Sequence, residues 1–220
     1  MHKTVENLID INNEIKEKIK ELNFSNYKPE IIAVSKTFDL KHISYLLNYG
    51  HIHYGENKVQ EAKEKWESIK NNNNAIKLHM IGKLQTNKVK DAIRIFDYIH
   101  SVDNEKLAKK ISNEQVKIGL KPKLFIQINV GKEEKKSGID LENFKDFYKF
   151  CIDLDLNVIG TMCIPPLDKN INEYFLKMNE LNIKNNIKEL SMGMSLDYLE
   201  ALKFKSTFLR IGTKIFGSRN

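Results

Sequence analysis

Cysteine is nearly absent. The 220 residues hold two, Cys151 and Cys163, in no CxxC or Cys/His ligand spacing, which excludes a disulfide framework and a structural zinc site. No apolar run is long enough to cross a bilayer. The first residues, Met1-His2-Lys3-Thr4-Val5-Glu6, enter a charged amphipathic segment with no apolar signal core, so a cytoplasmic location is expected. Arginine is scarce too. It occurs only as Arg94, Arg210 and Arg219 in a chain with 36 basic residues and a formal charge of +7. Nucleic-acid readers favour the planar arginine fork. Here the lysines are interleaved with Glu, Asp and Asn, apart from short groups such as Lys132 to Lys136. The charge therefore reads as solvated helix faces and argues against a nucleic-acid partner. His42, His51, His53, His79 and His100 show no metal spacing and read as surface or satisfied core histidines. There is no HExxH, GxSxG, Walker loop or GxGxxG. No tandem repeat and no linker marks a second domain.

What is present is a regular alternation. An amphipathic helix from Val5 to Leu22 precedes a β-branched apolar strand, Ile31 to Ser35. Helical and strand-like segments then alternate. The other strands lie near 51–55, 77–81, 98–102, 124–130, 157–162, 189–193 and 207–212. Helices lie near 40–50, 58–70, 85–95, 104–116, 141–151, 171–181 and 196–204. At 41 % hydrophobic the chain can bury a large core. Repeated strand–helix units imply right-handed crossovers and a parallel sheet. Eight of them suit a single α/β barrel of the (β/α)8 TIM type spanning residues 1–220, with an extra N-terminal helix.

In such a barrel chemistry belongs at the C-terminal ends of the strands. Lys36 follows the first strand. Burial there would disfavour the ammonium form and favour a nucleophilic amine, as a Schiff base with an aldehyde such as pyridoxal phosphate requires. The alternative is a lysine that simply leaves the core. Ser191-Met192-Gly193-Met194-Ser195 and Ile211-Gly212-Thr213 follow the seventh and eighth strands, where barrels often hold phosphate. Equally, Ser195 could only cap a helix and Gly212 only make a turn. Arg210 is a permanent cation where the chain otherwise uses lysine. It would keep a pyridine nitrogen unprotonated, or form a strand-end salt bridge.

Ala33-Val34-Ser35-Lys36, Tyr54-Gly55-Glu56-Asn57-Lys58-Val59-Gln60-Glu61, His79 to Lys88, Lys136-Ser137-Gly138-Ile139, Leu190 to Ser195, Arg210 to Thr213 and Ile215-Phe216-Gly217 resemble, in order, the motifs of the pyridoxal phosphate homeostasis proteins. The resemblance implies a barrel similar to the N-terminal domain of alanine racemase, with pyridoxal 5'-phosphate as cofactor and no metal. It implies that Lys36 forms the Schiff base and that Ser191, Gly193, Gly212 and Thr213 cradle the phosphate. Arg210 would face the pyridine nitrogen, and Asn57 and Met162 would line the ring. Lys83 stands where proline is frequent in the family, and Phe38 where a second basic residue is common. The implied role is intracellular vitamin B6 homeostasis without robust catalysis and without catalytic residues. The protein would be a monomer that serves PLP-dependent acceptor enzymes and touches neither membrane nor nucleic acid. The alternative is a PLP-dependent racemase or decarboxylase. Against it, the chain offers no second, β-rich domain to complete such a site.

Overall fold

The structure is a computed structural model that describes residues 1–133, 136–166 and 170–217. The middle of the lysine-rich loop and Arg219 lie outside the described residues. Helix α1 (Lys3–Glu21) comes first. Eight strands follow, β1 (Glu30–Val34), β2 (His53–Glu56), β3 (Lys77–Met80), β4 (Tyr98–Val102), β5 (Lys123–Ile128), β6 (Val158–Cys163), β7 (Glu189–Met194) and β8 (Phe208–Ile211). Between them run α2 (Leu40–Tyr49), α3 (Val59–Asn72), α4 (Val89–Ile95), α5 (Glu105–Ile118), α6 (Phe144–Asp153), α7 (Ile171–Lys184) and α8 (Tyr198–Lys203). A short α9 (Thr213–Phe216) ends the ring. The strands pair in parallel in chain order, and β8 pairs back to β1, so the barrel is closed.

Closure leaves no free sheet edge and buries both faces of every strand. Strand periodicity then divides the interior in two. On β1, β3, β5 and β8 the outward set is Ile31, Ala33, Leu78, Met80, Leu124, Ile126, Leu209 and Ile211. These pack beneath the helices with Trp66, Phe144 and Phe175 in one apolar shell. The inward set includes Ile32, Tyr98, Phe125, Met162 and Phe208. Gly160 makes this possible on β6: a Cβ there would lie 2.5 Å from the Phe125 ring, so only glycine lets that ring fill the lumen.

Helix ends follow their side chains. Asn104 accepts from the Leu107 amide at the start of α5, and Asp39 accepts from the His42 amide at the start of α2. Gly50, at φ 92°, ends α2 in the left-handed conformation. The segment expected to be helical from Gln85 opens with a 3-10 turn, Thr86–Lys88, and the one from Leu141 opens likewise. Helix α1 lies outside the barrel against α2, α8 and α9. Asn7 donates to the Ile215 carbonyl, and Lys214 reaches Glu14 and the Tyr198 hydroxyl. No described helix is long and apolar enough to cross a membrane.

Candidate functional site

Lys36 sits half-buried in the turn that leaves β1 at the C-terminal mouth. The turn is clamped from three sides. Ser35 donates its amide to the Gly55 carbonyl and its hydroxyl to Glu56 Oε1, 2.7 Å away. The Ser35 carbonyl accepts from Lys65 Nζ and from the Phe38 amide. Thr37 holds φ 70°, a left-handed conformation that costs a β-branched residue dearly. Its amide donates to Glu61 Oε1 at 2.6 Å, which helps to hold it there.

Behind this turn Glu56 is completely buried. Its Oε1 accepts from Ser35, Lys65 and the Trp66 indole, each within 3.0 Å. Burial raises the Glu56 pKa, against the opposing pull of Lys65, Trp66 and Ser35. Glu56 thus ties β2 and α3 to the residue preceding Lys36.

Because β1 pairs with β8, closure places the Lys36 turn beside the turn after β8. A Cβ on Gly212 would lie 3.3 Å from Val34 Cβ, and the Phe38 and Phe216 rings stack at 4.9 Å. On the other side, Ser195 Oγ accepts from the amides of Gly212 and Lys214, at 3.3 and 3.4 Å. Ser195 therefore does not cap α8; it joins the turns after β7 and β8. Thr213 is exposed at that junction. Gly193, at φ 89°, lets β7 press on α8 and β8: a Cβ would lie 2.7 Å from Ala201 Cβ. It bends the chain toward Ser195.

Ser191, which the resemblance implies for the phosphate cradle, is turned into the lumen by strand alternation. It is fully buried, with Oγ 2.7 Å from Arg210 and 3.0 Å from His100 Nδ1. The hydroxyl at the loop is that of Ser195. Arg210 forms no strand-end salt bridge among the described residues. The residue is 4 % exposed, and its guanidinium donates to the Ser191 carbonyl and hydroxyl and to the Cys163 carbonyl. Burial pulls its pKa down, with nearby Asp197 and Cys163 acting the other way, yet an arginine keeps its charge in such surroundings. Met162, in register with Ser191, is buried in the lumen among Ile32, Tyr98, Phe125 and Phe208.

Asn57 lies across the mouth, against Gly82, where a Cβ would come within 2.5 Å of the Asn57 carbonyl. Its Oδ1 is buried and has no partner among the described residues. It lines a cavity of about 380 Å³ with Met80, Lys83 and Gln85. A second cavity of about 320 Å³ lies beside it, between Gly82, Gln127, Asn129 and Lys136. The mouth thus offers an amine, an acceptor lacking a donor, a fixed cation below, and a glycine-lined hydroxyl turn next to the amine.

Residues 12–220 match the family described as alanine racemase, N-terminal domain. A pyridoxal phosphate homeostasis protein of Haemophilus influenzae is 38% identical over 226 residues, covering 97% of this chain and 95% of that one. The chain belongs to the family of pyridoxal phosphate homeostasis proteins. The Aquifex aeolicus member is 37% identical, covering 86% of this chain and 87% of its own. PipY of Synechococcus elongatus, solved with PLP bound, superposes with a TM-score of 0.77 at 32% identity, covering 92% of this chain and all (100%) of PipY. Alanine racemase of Clostridium difficile shares the fold, with a TM-score of 0.71 at 16% identity, and the match covers 57% of that longer chain.

The motif residues Lys36, Asn57, Arg210, Gly212 and Thr213 are gathered by the family fold at one mouth. Sequence reading missed the lumen. His53, His79 and His100 are buried there, on the inward side of three successive strands. The signal was a histidine at the inward position of each strand, beside the outward apolar residues Tyr54, Leu78, Met80 and Ile99.

Proposed function

We propose that this chain binds pyridoxal 5'-phosphate through a Schiff base on Lys36 and serves the homeostasis of that cofactor in the cytoplasm. The observation that carries the reading is the convergence of Lys36, Arg210 and the Ser195–Gly212–Thr213 turn at a mouth whose family relative PipY was solved with PLP. The residues suit the group. Ser195, which accepts two amides, keeps its O–H to donate to a phosphate oxygen. The Gly212 and Thr213 turn allows an anion close to the main chain. Asn57 Oδ1 lacks a donor among the described residues, and Met162 belongs to the apolar cluster of the lumen beneath the mouth.

Bound pyridoxal phosphate would supply an aldehyde to the Lys36 amine and an electron-withdrawing ring. The chain's own groups set how far that ring can act. Arg210 is a donor that stays charged, so a ring nitrogen facing it accepts a hydrogen bond and is not protonated; that weakens carbanion stabilisation. The histidines nearest to Arg210 are sealed in the lumen, and both cysteine thiols are buried and pushed up to about 12. Neither set is placed as a general acid or base at the mouth. Holding and releasing the cofactor, as a monomer that supplies PLP-dependent acceptor enzymes, fits this chemistry better than turnover.

Absorbance of the purified protein mixed with pyridoxal phosphate tests the reading. A visible band is expected, which borohydride should fix as a mass increment on the peptide containing Lys36. Absence of the band, or an unchanged band in Lys36→Ala, overturns it.

A further inference from the structure

The barrel lumen carries a continuous line of hydrogen bonds that the cofactor reading does not use. His53 Nδ1 lies 2.9 Å from His79 Nε2. His79 Nδ1 lies 2.9 Å from His100 Nε2. His100 Nδ1 lies 3.0 Å from Ser191 Oγ, and Ser191 Oγ lies 2.7 Å from the Arg210 guanidinium. The line starts at the N-terminal mouth, where His53 Nε2 is 3.7 Å from Glu30 Oε2. It ends at the cation under the opposite mouth. His79 and His100 are each 0 % exposed. Their rings are held by stacking, His79 on Tyr98 at 4.2 Å and His100 on Phe125 at 4.1 Å.

The end groups fix the direction of every bond. Arginine can only donate, so Ser191 Oγ accepts from it. The one serine proton then has His100 Nδ1 as its acceptor. His100 must carry its proton on Nε2 and donate to His79 Nδ1. His79 likewise donates from Nε2 to His53 Nδ1, and His53 Nε2–H faces the Glu30 carboxylate. The opposite polarity would leave the serine proton without an acceptor and turn a bare imidazole nitrogen toward Glu30. Burial keeps His79 and His100 neutral, well below the ordinary histidine pKa. One proton per ring is what the line requires.

We propose that His100, oriented by His79 and His53, is a positioning residue for Arg210: through the Ser191 hydroxyl it holds the guanidinium in the pose that meets the ring nitrogen of a bound pyridoxal phosphate. This rests on the cofactor reading above and adds to it. Arg210 gives N–H bonds to Ser191 and to the Cys163 carbonyl. These bonds engage Nη1 and Nη2, the outer edge of the fork. Fixing one edge of the planar fork leaves the other aimed. Without an acceptor at position 100 the serine proton is free to turn toward the guanidinium, and the fork loses that anchor.

Two measurements test this. In the 15N-labelled chain without cofactor, long-range imidazole correlations at neutral pH should show His79 and His100 as Nε2–H tautomers. An Nδ1–H or charged form of either overturns the assignment. With pyridoxal phosphate, His100→Phe keeps a ring for stacking but no acceptor. It should weaken binding roughly ten-fold and shift the visible band. His100→Asn, which returns an acceptor, should recover most of both. Ser191→Ala should give the same loss, and the double variant no more than either single one. An unmoved band and affinity in both His100→Phe and Ser191→Ala, or fully additive losses, overturns the proposal while the wild-type band still supports the cofactor. Absence of a wild-type band overturns the cofactor reading and the proposal together, and leaves the tautomers as a separate fact about the lumen.

Discussion

Two interiors share this barrel. The shell between strands and helices is mainly apolar, from Trp66 on α3 to Phe175 on α7, with isolated buried pairs such as Glu56 with Trp66 and Thr161 with Asn182. The lumen holds five apolar side chains around a polar line of three histidines, a serine and an arginine. Both are buried, but their energetics differ in kind. In the shell each fully buried Leu, Ile or Phe contributes about 1.5–3 kcal/mol, with little directional demand. In the lumen each polar group costs free energy unless its partner is in place, so stability depends on the whole line being complete. The shell makes the barrel. The lumen is where the barrel can specify something, at the foot of Arg210.

Four changes sharpen or break that contrast. Phe175→Ala empties a fully buried shell position. It should cost on the order of 4 kcal/mol in denaturant unfolding. The cofactor band should stay where it is; a shifted band would mean that shell and lumen are not separable.

Acid should act on the lumen instead. Burial, with lesser pushes from His51 and Lys77, lowers His53 from 6.5 to about 4, and burial also holds His79 and His100 well below 6.5. The unfolded chain takes up protons on these residues below about pH 6.5 while the folded chain does not. The stability is therefore complete above pH 6.5 and lost as pH falls toward 4. His53 alone accounts for on the order of 3 kcal/mol. Urea unfolding across that range should show the slope, and His53→Gln should reduce it; an equal slope in the variant would remove His53 from the account.

Glu56→Gln tests the clamp under Lys36. It leaves the Lys65 ammonium without its buried carboxylate, and should cost about 2 kcal/mol. It should also speed hydrogen exchange at the Thr37 amide. Unchanged exchange would mean that the turn holds its strained conformation without Glu56. The smallest effect is expected from Ser206→Ala. Ser206 Oγ is buried, donates to the Met192 carbonyl at 2.7 Å and bridges β7 to β8 where their register shifts. About 1 kcal/mol should be lost, read as a small fall in Tm.

Most of the fold was legible because strand and helix periods alternate cleanly. The boundaries of β1, β5 and β6 differ from expectation by one or two residues, since pairing rather than composition ends a strand. The site was legible where a residue ends a strand, as with Lys36 and Arg210. It was not legible where depth decides the role. Ser191 and Ser195 lie in one motif and look alike in sequence. A strand position turns the first into the lumen, and the loop beyond it sets the second against the Gly212 amide.

By itself, the sequence determined a (β/α)8 barrel with a lysine at the lip of its first strand, because local periodicity and strand-end position are properties of short segments. Only the tertiary structure decided what faces what. Closing β8 onto β1 brings the Gly212 turn to Lys36. Rolling eight strands into a tube turns three histidines, scattered over 48 residues of chain from His53 to His100, into one line that ends on Arg210. Side chains on one strand share a face through the backbone alone; side chains on different strands meet only through the register and curvature of the closed sheet.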